Sequence, residues 1–125
     1  MQYKKTQDVH NFENLITWQK SQELAVSIYK LSDQFPTSEQ YGMINQIKRA
    51  VASISANIAE GFGRPTKNDK VHFYYIAYGS LLEVKNFIYL AEKLSYIDES
   101  TKSYTIEELT ECQKLLNGLI RSTKK

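Results

Sequence analysis

Metal binding and nucleophilic catalysis need particular side chains at particular spacings, and few residues in this sequence meet those requirements. The chain has two histidines, and only Asp69-x-x-His72 places a carboxylate one helical turn from an imidazole. A di-iron bundle needs two Glu-x-x-His motifs and two further glutamates, and a catalytic zinc site of three histidines needs more histidines than the chain has. We therefore expect no native metal, and Asp69 is better explained as a helix N-cap.

The single cysteine and the serines give no better support for an enzyme. Cys112 lies between Leu109 and Leu116 on an apolar stripe, where burial raises a thiol pKa and makes the group unreactive. Ser80 has no base near it in the sequence, and the glycine-rich segment 61–64 follows a helix, whereas a phosphate-binding loop precedes one. We expect no catalytic residue, no metal and no cofactor, so the protein is predicted to work by binding.

Polar residues on one shared face of the second and third predicted helices permit two interpretations. They are Arg49, Ser53, Asn57, Glu60, Arg64, Ser80 and Glu83. The first interpretation is a structural polar network, made by all of these except Arg64, that fixes how the two helices pack. The second is a small-ligand site at Asn57, Glu60, Ser80 and Glu83. The sequence leaves both open.

Charge is unevenly distributed along the chain, although the net charge is only +2. Basic side chains predominate between residues 44 and 70, and acidic ones between residues 92 and 111. The bases that could contact nucleic-acid phosphate are Lys48, Arg49, Arg64, Lys67 and Lys70. Charge clusters are also common on solvated surfaces, and so small a net charge does not by itself indicate nucleic-acid binding.

Apolar residues recur at helical spacing in four segments, which must position these side chains. The first helix is predicted over residues 17–34, and the second starts near Thr37, where Gln40 completes a capping box. The third is predicted from Asn68 or Asp69 to about residue 96. After a polar loop over residues 98–104, the fourth starts at Thr105 with a second capping box. Short links between amphipathic helices predict an all-α, antiparallel, up-and-down four-helix bundle with left-handed crossing.

The third helix is apolar nearly all round, which is typical of a helix buried on two sides. We expect Phe73, Ala77, Ser80, Val84, Phe87, Ala91 and Leu94 to face the core. The opposite side is predicted to form a subunit interface, rich in the tyrosine that such surfaces favour, through Tyr75, Tyr78, Leu82, Tyr89 and Tyr96. Gly79 indicates a close neighbour of the third helix. On the second helix, a stripe of small residues lets another backbone approach closely: Ala52, Ala56, Ala59 and Gly63.

Residues 1–13 are predicted to form a flexible N-terminal arm, residues 14–121 the bundle and residues 122–125 a frayed tail. The N-terminal segment lacks the apolar region of a signal peptide, and no apolar run approaches the roughly 20 residues of a membrane span. The single cysteine favours a reducing compartment. We therefore expect a cytoplasmic protein without membrane contact.

The stretch QIKRAVASISANIAEGFGR, residues 46–64, resembles the signature of the four-helix bundle protein family, also called 23S rRNA intervening sequence protein. FENLITWQKSQELAVSIY from Phe12, QFPTSEQYGMINQ from Gln34 and AYGSLLEV from Ala77 fit the same pattern. The resemblance covers roughly residues 12–121. It implies an up-and-down bundle that assembles into a ring, a pentamer. It also implies a relation to accessory proteins of diversity-generating retroelements, which bind nucleic acid and a reverse transcriptase, and it supplies no catalytic residue.

Together these observations favour a non-enzymatic, homo-oligomeric scaffold or adaptor that contacts RNA or DNA through the basic turn between the second and third helices. The alternatives are a module that binds only a protein partner, and small-ligand binding at the polar cluster. Salt-sensitive binding of nucleic acid would separate the first from the second.

Overall fold

In a computed structural model of the protein, which describes residues 9–125, four α-helices follow one another: α1 (Ile16–Ser32), α2 (Met43–Phe62), α3 (Lys67–Lys93) and α4 (Glu99–Lys124). Short 3-10 turns lie at Phe12–Asn14 and Thr37–Glu39. No strand occurs between residues 9 and 125. The prediction of an all-α four-helix protein is confirmed.

Each helix packs against its neighbours in chain order, and α4 returns to pack against α1. Cross-helix hydrogen bonds join the start of one helix to the later part of the other. Thr17, near the start of α1, donates to the carbonyl of Leu115 at 3.4 Å. Ser27, near the end of α1, donates to Glu108 at 3.4 Å. The residue number in α1 rises as that in α4 falls, so these two helices run in opposite directions. The up-and-down order of the whole bundle and the left-handed crossing stay predictions.

The predicted start of the fourth helix was wrong, and the third helix begins close to the predicted position but with a different cap. The Thr66 hydroxyl accepts from the Asp69 amide at 3.1 Å, so α3 begins before Asn68 and Asp69. The Asp98 carboxylate accepts from the Thr101 amide at 2.7 Å, which lowers the pKa of Asp98 and starts α4 at Glu99. An N-cap satisfies an amide that the helix leaves free. The predicted loop over residues 98–104 is therefore largely helical.

The two predicted capping boxes also do not start helices. Thr105 lies inside α4 and donates to the carbonyl of Thr101 at 2.8 Å, a bond from one turn to the turn before it. Thr37 belongs to a 3-10 turn, and α2 begins only at Met43 after Gly42. Both threonines have the capping-box spacing, but each lies within helical backbone, so neither caps the start of an α-helix.

The core-facing side of α3 differs from the predicted one. The buried residues of α3 are Tyr74, Ala77, Leu81, Val84, Ile88 and Ala91. Phe73 and Phe87 are half-buried, and Leu94 is 46% exposed. Ala77, Val84 and Ala91 belong to both the predicted and the observed set. The helix is thus rotated so that position 74 and its heptad equivalents enter the core in place of position 73 and its equivalents.

The chain before α1 and after α4 is more closely associated with the bundle than expected. Val9 is buried, and the Phe12 ring packs edge-on against Trp18 with centroids 5.1 Å apart. Residues 1–8 of the predicted arm lie outside the described residues. At the other end α4 continues to Lys124, where we expected a tail from residue 122. Between residues 9 and 125, no helix is both long and apolar enough to cross a membrane.

Candidate functional site

The polar stripe of α2 forms a smaller network than predicted. The Asn57 side-chain amide donates to the Ser53 carbonyl at 2.8 Å and to the Ser53 hydroxyl at 2.9 Å. The Ser80 hydroxyl, on α3, donates to the Ser53 hydroxyl at 3.0 Å. All three side chains are half-buried. The structure therefore brings together one asparagine and two serines at the contact between α2 and α3.

The charged members of the stripe lie outside that network. Glu60 and Arg64 pair with each other at 2.6 Å on the exposed face, and the Arg64 guanidinium lies 4.5 Å from the centre of the Phe73 ring. Arg49 and Glu83 are exposed and line a shallow polar cleft of about 320 Å³ next to Ser53 and Ser80. The proposed cluster of Asn57, Glu60, Ser80 and Glu83 is thus divided between an inner and an outer pair. Both interpretations of the stripe stay predictions.

Three of the predicted phosphate-contacting bases lie together at one end of the bundle. Arg64 lies between α2 and α3, and Lys67 and Lys70 lie in the first turn of α3. The Lys70 ammonium donates to the Phe62 carbonyl at 2.5 Å. Phe62 is the last residue of α2, and the last carbonyls of a helix have no amide donor within the helix. Lys67 is exposed, and its ammonium contacts the Lys125 carbonyl oxygen.

That last contact adds bases that the sequence reasoning missed. The end of α4 carries Arg121, Lys124 and Lys125, all exposed, beside the turn from α2 to α3. The predicted up-and-down order could have identified these three bases, because it places the end of the fourth helix beside the start of the third. We call the set at this end the basic end: Arg64, Lys67, Lys70, Arg121, Lys124 and Lys125.

The other two predicted bases are not part of the basic end. Lys48 forms an ion pair with Asp33 at 2.8 Å, and its ammonium lies 5.1 Å from the centre of the Tyr29 ring. At 1.5 Å per residue it is about 21 Å along α2 from Phe62. Arg49 follows Lys48 in the same part of α2, beside the polar cleft.

The predicted subunit interface on α3 divides in two. Tyr75 is 49% exposed, and Leu82 and Tyr89 are each 43% exposed. Tyr78 is half-buried and its hydroxyl accepts from the Gln113 amide at 3.0 Å. Three of the five predicted residues therefore form a partly exposed stripe. The Lys124 ammonium donates to the Tyr75 hydroxyl at 2.8 Å, and the Lys102 ammonium lies 5.8 Å from the centre of the Tyr89 ring.

Tyr96, the fifth predicted interface residue, is engaged within the chain. Its hydroxyl donates to Glu39 at 2.7 Å, which raises the pKa of Tyr96, and its ring lies 5.7 Å from that of Phe35. Sequence reasoning also missed Ile76 and Leu90, which are 40% and 39% exposed on the other flank of the same face. We call the α3 ridge the exposed set Tyr75, Ile76, Leu82, Tyr89 and Leu90.

A groove runs between α1 and α2 on another side of the bundle. Its volume is about 650 Å³. Side chains of Trp18, Val26 and Tyr29 line it from α1, and the small-residue stripe of α2 lines it from the other side through Ala52, Ala56 and Ala59. Val26 is 55% exposed. The sequence predicted a close approach at this stripe, and within residues 9–125 the space over it stays open.

Two of the residues that could do chemistry, Cys112 and His72, lie against apolar neighbours. Cys112 is buried, and this burial raises the pKa of its thiol to about 12. Among residues 9–125, no three side chains of histidine, cysteine, aspartate or glutamate gather closely enough to hold a metal ion. His72 packs edge-on against Phe73, with ring centroids 5.4 Å apart.

Comparison with known proteins identifies the same family from two directions. A model of the family described as 23S rRNA-intervening sequence protein matches residues 13–118. A crystal structure of a protein of unknown function from the S23 ribosomal protein family of Bacteroides thetaiotaomicron superimposes with a TM-score of 0.76. That protein is 30% identical, and the match covers 84% of this chain and 98% of the other. No curated protein matches the chain.

Proposed function

The chain belongs to the 23S rRNA-intervening sequence protein family, and we propose that it works as a homo-oligomeric, non-enzymatic scaffold that contacts RNA or DNA through its basic end. The proposal places the protein in the cytoplasm and gives it a ring form, the pentamer that the family resemblance implies. The gathering of the α2–α3 turn and the end of α4 carries the proposal, because it joins bases that are far apart in the sequence.

The charges of the basic end are arranged in a way that suits phosphate. Arg64 is partly neutralised by Glu60, and the Lys67 ammonium contacts a main-chain oxygen of Lys125. Lys124 is exposed and donates to the Tyr75 hydroxyl at 2.8 Å. Among residues 9–125, no aspartate or glutamate lies within ion-pairing distance of Lys67, Arg121 or Lys124. Asp69, between Lys67 and Lys70, is the acidic residue nearest to these two lysines in the sequence. Lysine and arginine side chains of this kind bind the backbone of a nucleic acid and release its counterions. Such contacts position the protein and carry no direct sequence information.

Assembly would strengthen contacts that are weak in one copy. A chain with a net charge of +2 binds a polyanion poorly by itself. A ring repeats the basic end around one axis, and linked sites can raise avidity by about 10² or more without new contacts. The partly exposed α3 stripe of Tyr75, Leu82 and Tyr89 supports the assembly, because aromatic and large apolar side chains are enriched at subunit contacts.

Fluorescence anisotropy with labelled RNA and DNA oligomers tests the proposal. We expect Lys67→Glu combined with Arg121→Glu to weaken binding to all sequences alike. On duplex DNA it should also flatten the log–log salt dependence, whose slope is about −0.9 for each phosphate contact. The matched control reverses the same amount of charge away from the basic end, with Lys48→Glu and Lys114→Glu. The control should bind nearly as wild type.

Two results would count against nucleic-acid binding. One is the absence of binding at about 50 µM oligomeric protein in low salt, a concentration at which even non-specific contacts of ordinary strength are detected. The other is equal binding by the two charge-reversed variants. Either would favour the alternative, a module that binds only a protein partner, which the exposed apolar ridge of α3 and the α1–α2 groove also support.

A further inference from the structure

We propose that the groove between α1 and α2 receives the α3 ridge of a second copy, so that the subunits join head to tail. The inference depends on the proposed homo-oligomer and goes beyond it by naming the surface that the ridge contacts. A contact between two different surfaces of the same chain forms a closed ring when the rotation closes. A contact between two α3 ridges forms only a pair.

The two surfaces are complementary in shape. The groove has small side chains on its α2 side, Ala52, Ala56 and Ala59, and residues 9–125 leave a volume of about 650 Å³ open above them. The α3 ridge has large side chains that are between 39% and 49% exposed. Gly79 lies on the same face. The close neighbour that the sequence predicted for it is not found within residues 9–125, where a Cβ added at Gly79 would meet no atom within 4 Å. Large side chains that fill a groove over alanines bury apolar surface on both partners.

The two surfaces are also similar in length. The groove extends along α1 from Trp18 to Lys30, about 18 Å at 1.5 Å per residue. The ridge extends along α3 from Tyr75 to Leu90, about 22 Å on the same scale. The lining of the groove is mostly apolar. The ridge is apolar except for exposed Asn86, which lies one turn from both Leu82 and Leu90. Exposed apolar surface of this extent marks an interaction site.

Their levels along the bundle axis match, as a ring requires. A ring whose axis runs along the bundle keeps every residue at the same level in each copy. Gln22 bonds to Ser55 at 2.9 Å, and Ser53 bonds to Ser80 at 3.0 Å, so these bonds link the levels of α1, α2 and α3. Counting residues in opposite directions from the Ser53–Ser80 bond places the α2 segment 52–59 level with residues 74–81 of α3. The half of the ridge that contains Tyr75 and Ile76 is therefore level with the groove, without a shift along the axis.

Charge at the edges of the two surfaces agrees with this placement. Lys30 lines the groove, and Glu83 lies on α3 beside the ridge; both are exposed. Neither forms an ion pair within residues 9–125. Counted from the same cross-helix bonds, the two lie within about 5 Å of each other along the axis. Because their levels differ so little, a lysine and a glutamate placed in this way can pair when the two surfaces meet.

A mixing experiment with two variants tests the inference. Ala56→Arg blocks the groove, and Leu82→Arg blocks the ridge; both positions are exposed, so the fold of each subunit should persist. Analytical ultracentrifugation should find each variant monomeric at concentrations where the wild type assembles, with assembly weakened on the order of 100-fold. Mixed together, the two variants should form a one-to-one dimer, because one supplies an intact ridge and the other an intact groove.

Other outcomes of the mixing experiment overturn the inference in recognisable ways. Normal assembly of Ala56→Arg, with Leu82→Arg monomeric and no dimer on mixing, would show that ridges contact ridges and would leave the homo-oligomer standing. A monomeric wild type would remove the homo-oligomer itself. Circular dichroism confirms that each variant is folded, and Val26→Arg and Ile76→Arg provide a second pair if one of the first pair misfolds.

Exchanging the edge charges tests the register independently. Lys30→Glu and Glu83→Lys should each weaken assembly about fivefold, and the two together in one chain should restore it, because the pair is then reversed rather than lost. Failure of the double exchange to restore assembly would overturn the level match that places Lys30 opposite Glu83.

Discussion

Replacing Gly61 with alanine adds one methyl group at a close contact between α2 and α3. Gly61 is buried and is the residue directly before Phe62, the last residue of α2. A Cβ there would lie 2.8 Å from the Tyr74 Cε1 atom and 3.0 Å from both Tyr74 Cδ1 and Phe73 Cβ. The Tyr74 ring is only 1% exposed, so it has no free space into which to move. The backbone of one helix or the ring of the other must shift.

The size of the effect follows from two opposing terms. Overpacking a filled contact costs about 1–3 kcal/mol, and the upper part of that range applies because the ring is enclosed. Alanine is better than glycine inside a helix by about 1 kcal/mol, and less near a helix end. The free energy of unfolding should therefore fall by about 2 kcal/mol. For a domain of this size that lowers Tm by about 8 °C.

Gly79→Ala is the matched control, because it makes the same change in a helix where nothing lies within 4 Å of the added Cβ. Only the propensity term acts there, so Tm should rise by about 2–4 °C. Thermal melting followed by circular dichroism measures both variants, at protein concentrations where Tm no longer depends on concentration. A Tm of Gly61→Ala equal to or above that of wild type would refute the close contact between Gly61 and Tyr74.

Two further predictions concern the polar network and the thiol. Asn57→Ala should lower the free energy of unfolding by about 1 kcal/mol, since it removes both bonds to half-buried Ser53, whereas Glu60→Ala, in an exposed pair, should change it by less than about 0.5 kcal/mol. Urea unfolding measures both, and equal effects would mean that Asn57 is no more enclosed than Glu60. Cys112 should react with a thiol reagent at pH 7–9 only as fast as the protein unfolds, because burial raises its pKa to about 12; fast native reaction would contradict its core position. A raised acid pKa favours the folded state only while the thiol stays protonated, so this residue should lower stability as pH rises above the ordinary thiol pKa of about 8.5.

The sequence alone determined the number of helices and much of the core. The spacing of Leu24, Ile28, Leu31 and Phe35 predicts the core face of the first helix, and all four are buried. The spacing of Ile44, Ile47, Val51, Ile54 and Ile58 predicts that of the second helix, and all are buried except Ile44, which is half-buried. In α4 the predicted stripe of Leu109, Cys112, Leu116 and Leu119 is also buried. These stripes are readable because each of these helices has polar residues on the other side. A local period then points to one face without knowledge of the neighbours.

The tertiary structure decided the features that depend on segments far apart in the chain. The rotation of α3 is one of them, because apolar residues surround that helix and its period fits several faces. Packing against α2 and α4 selects Tyr74 for the core and leaves Tyr75 outside. Gly61 could be taken for part of a helix end in the sequence, and only the position of the Tyr74 ring explains it. The basic end and the groove likewise form where separate helices meet, since sequence periodicity fixes the faces of one helix and leaves its neighbours undetermined.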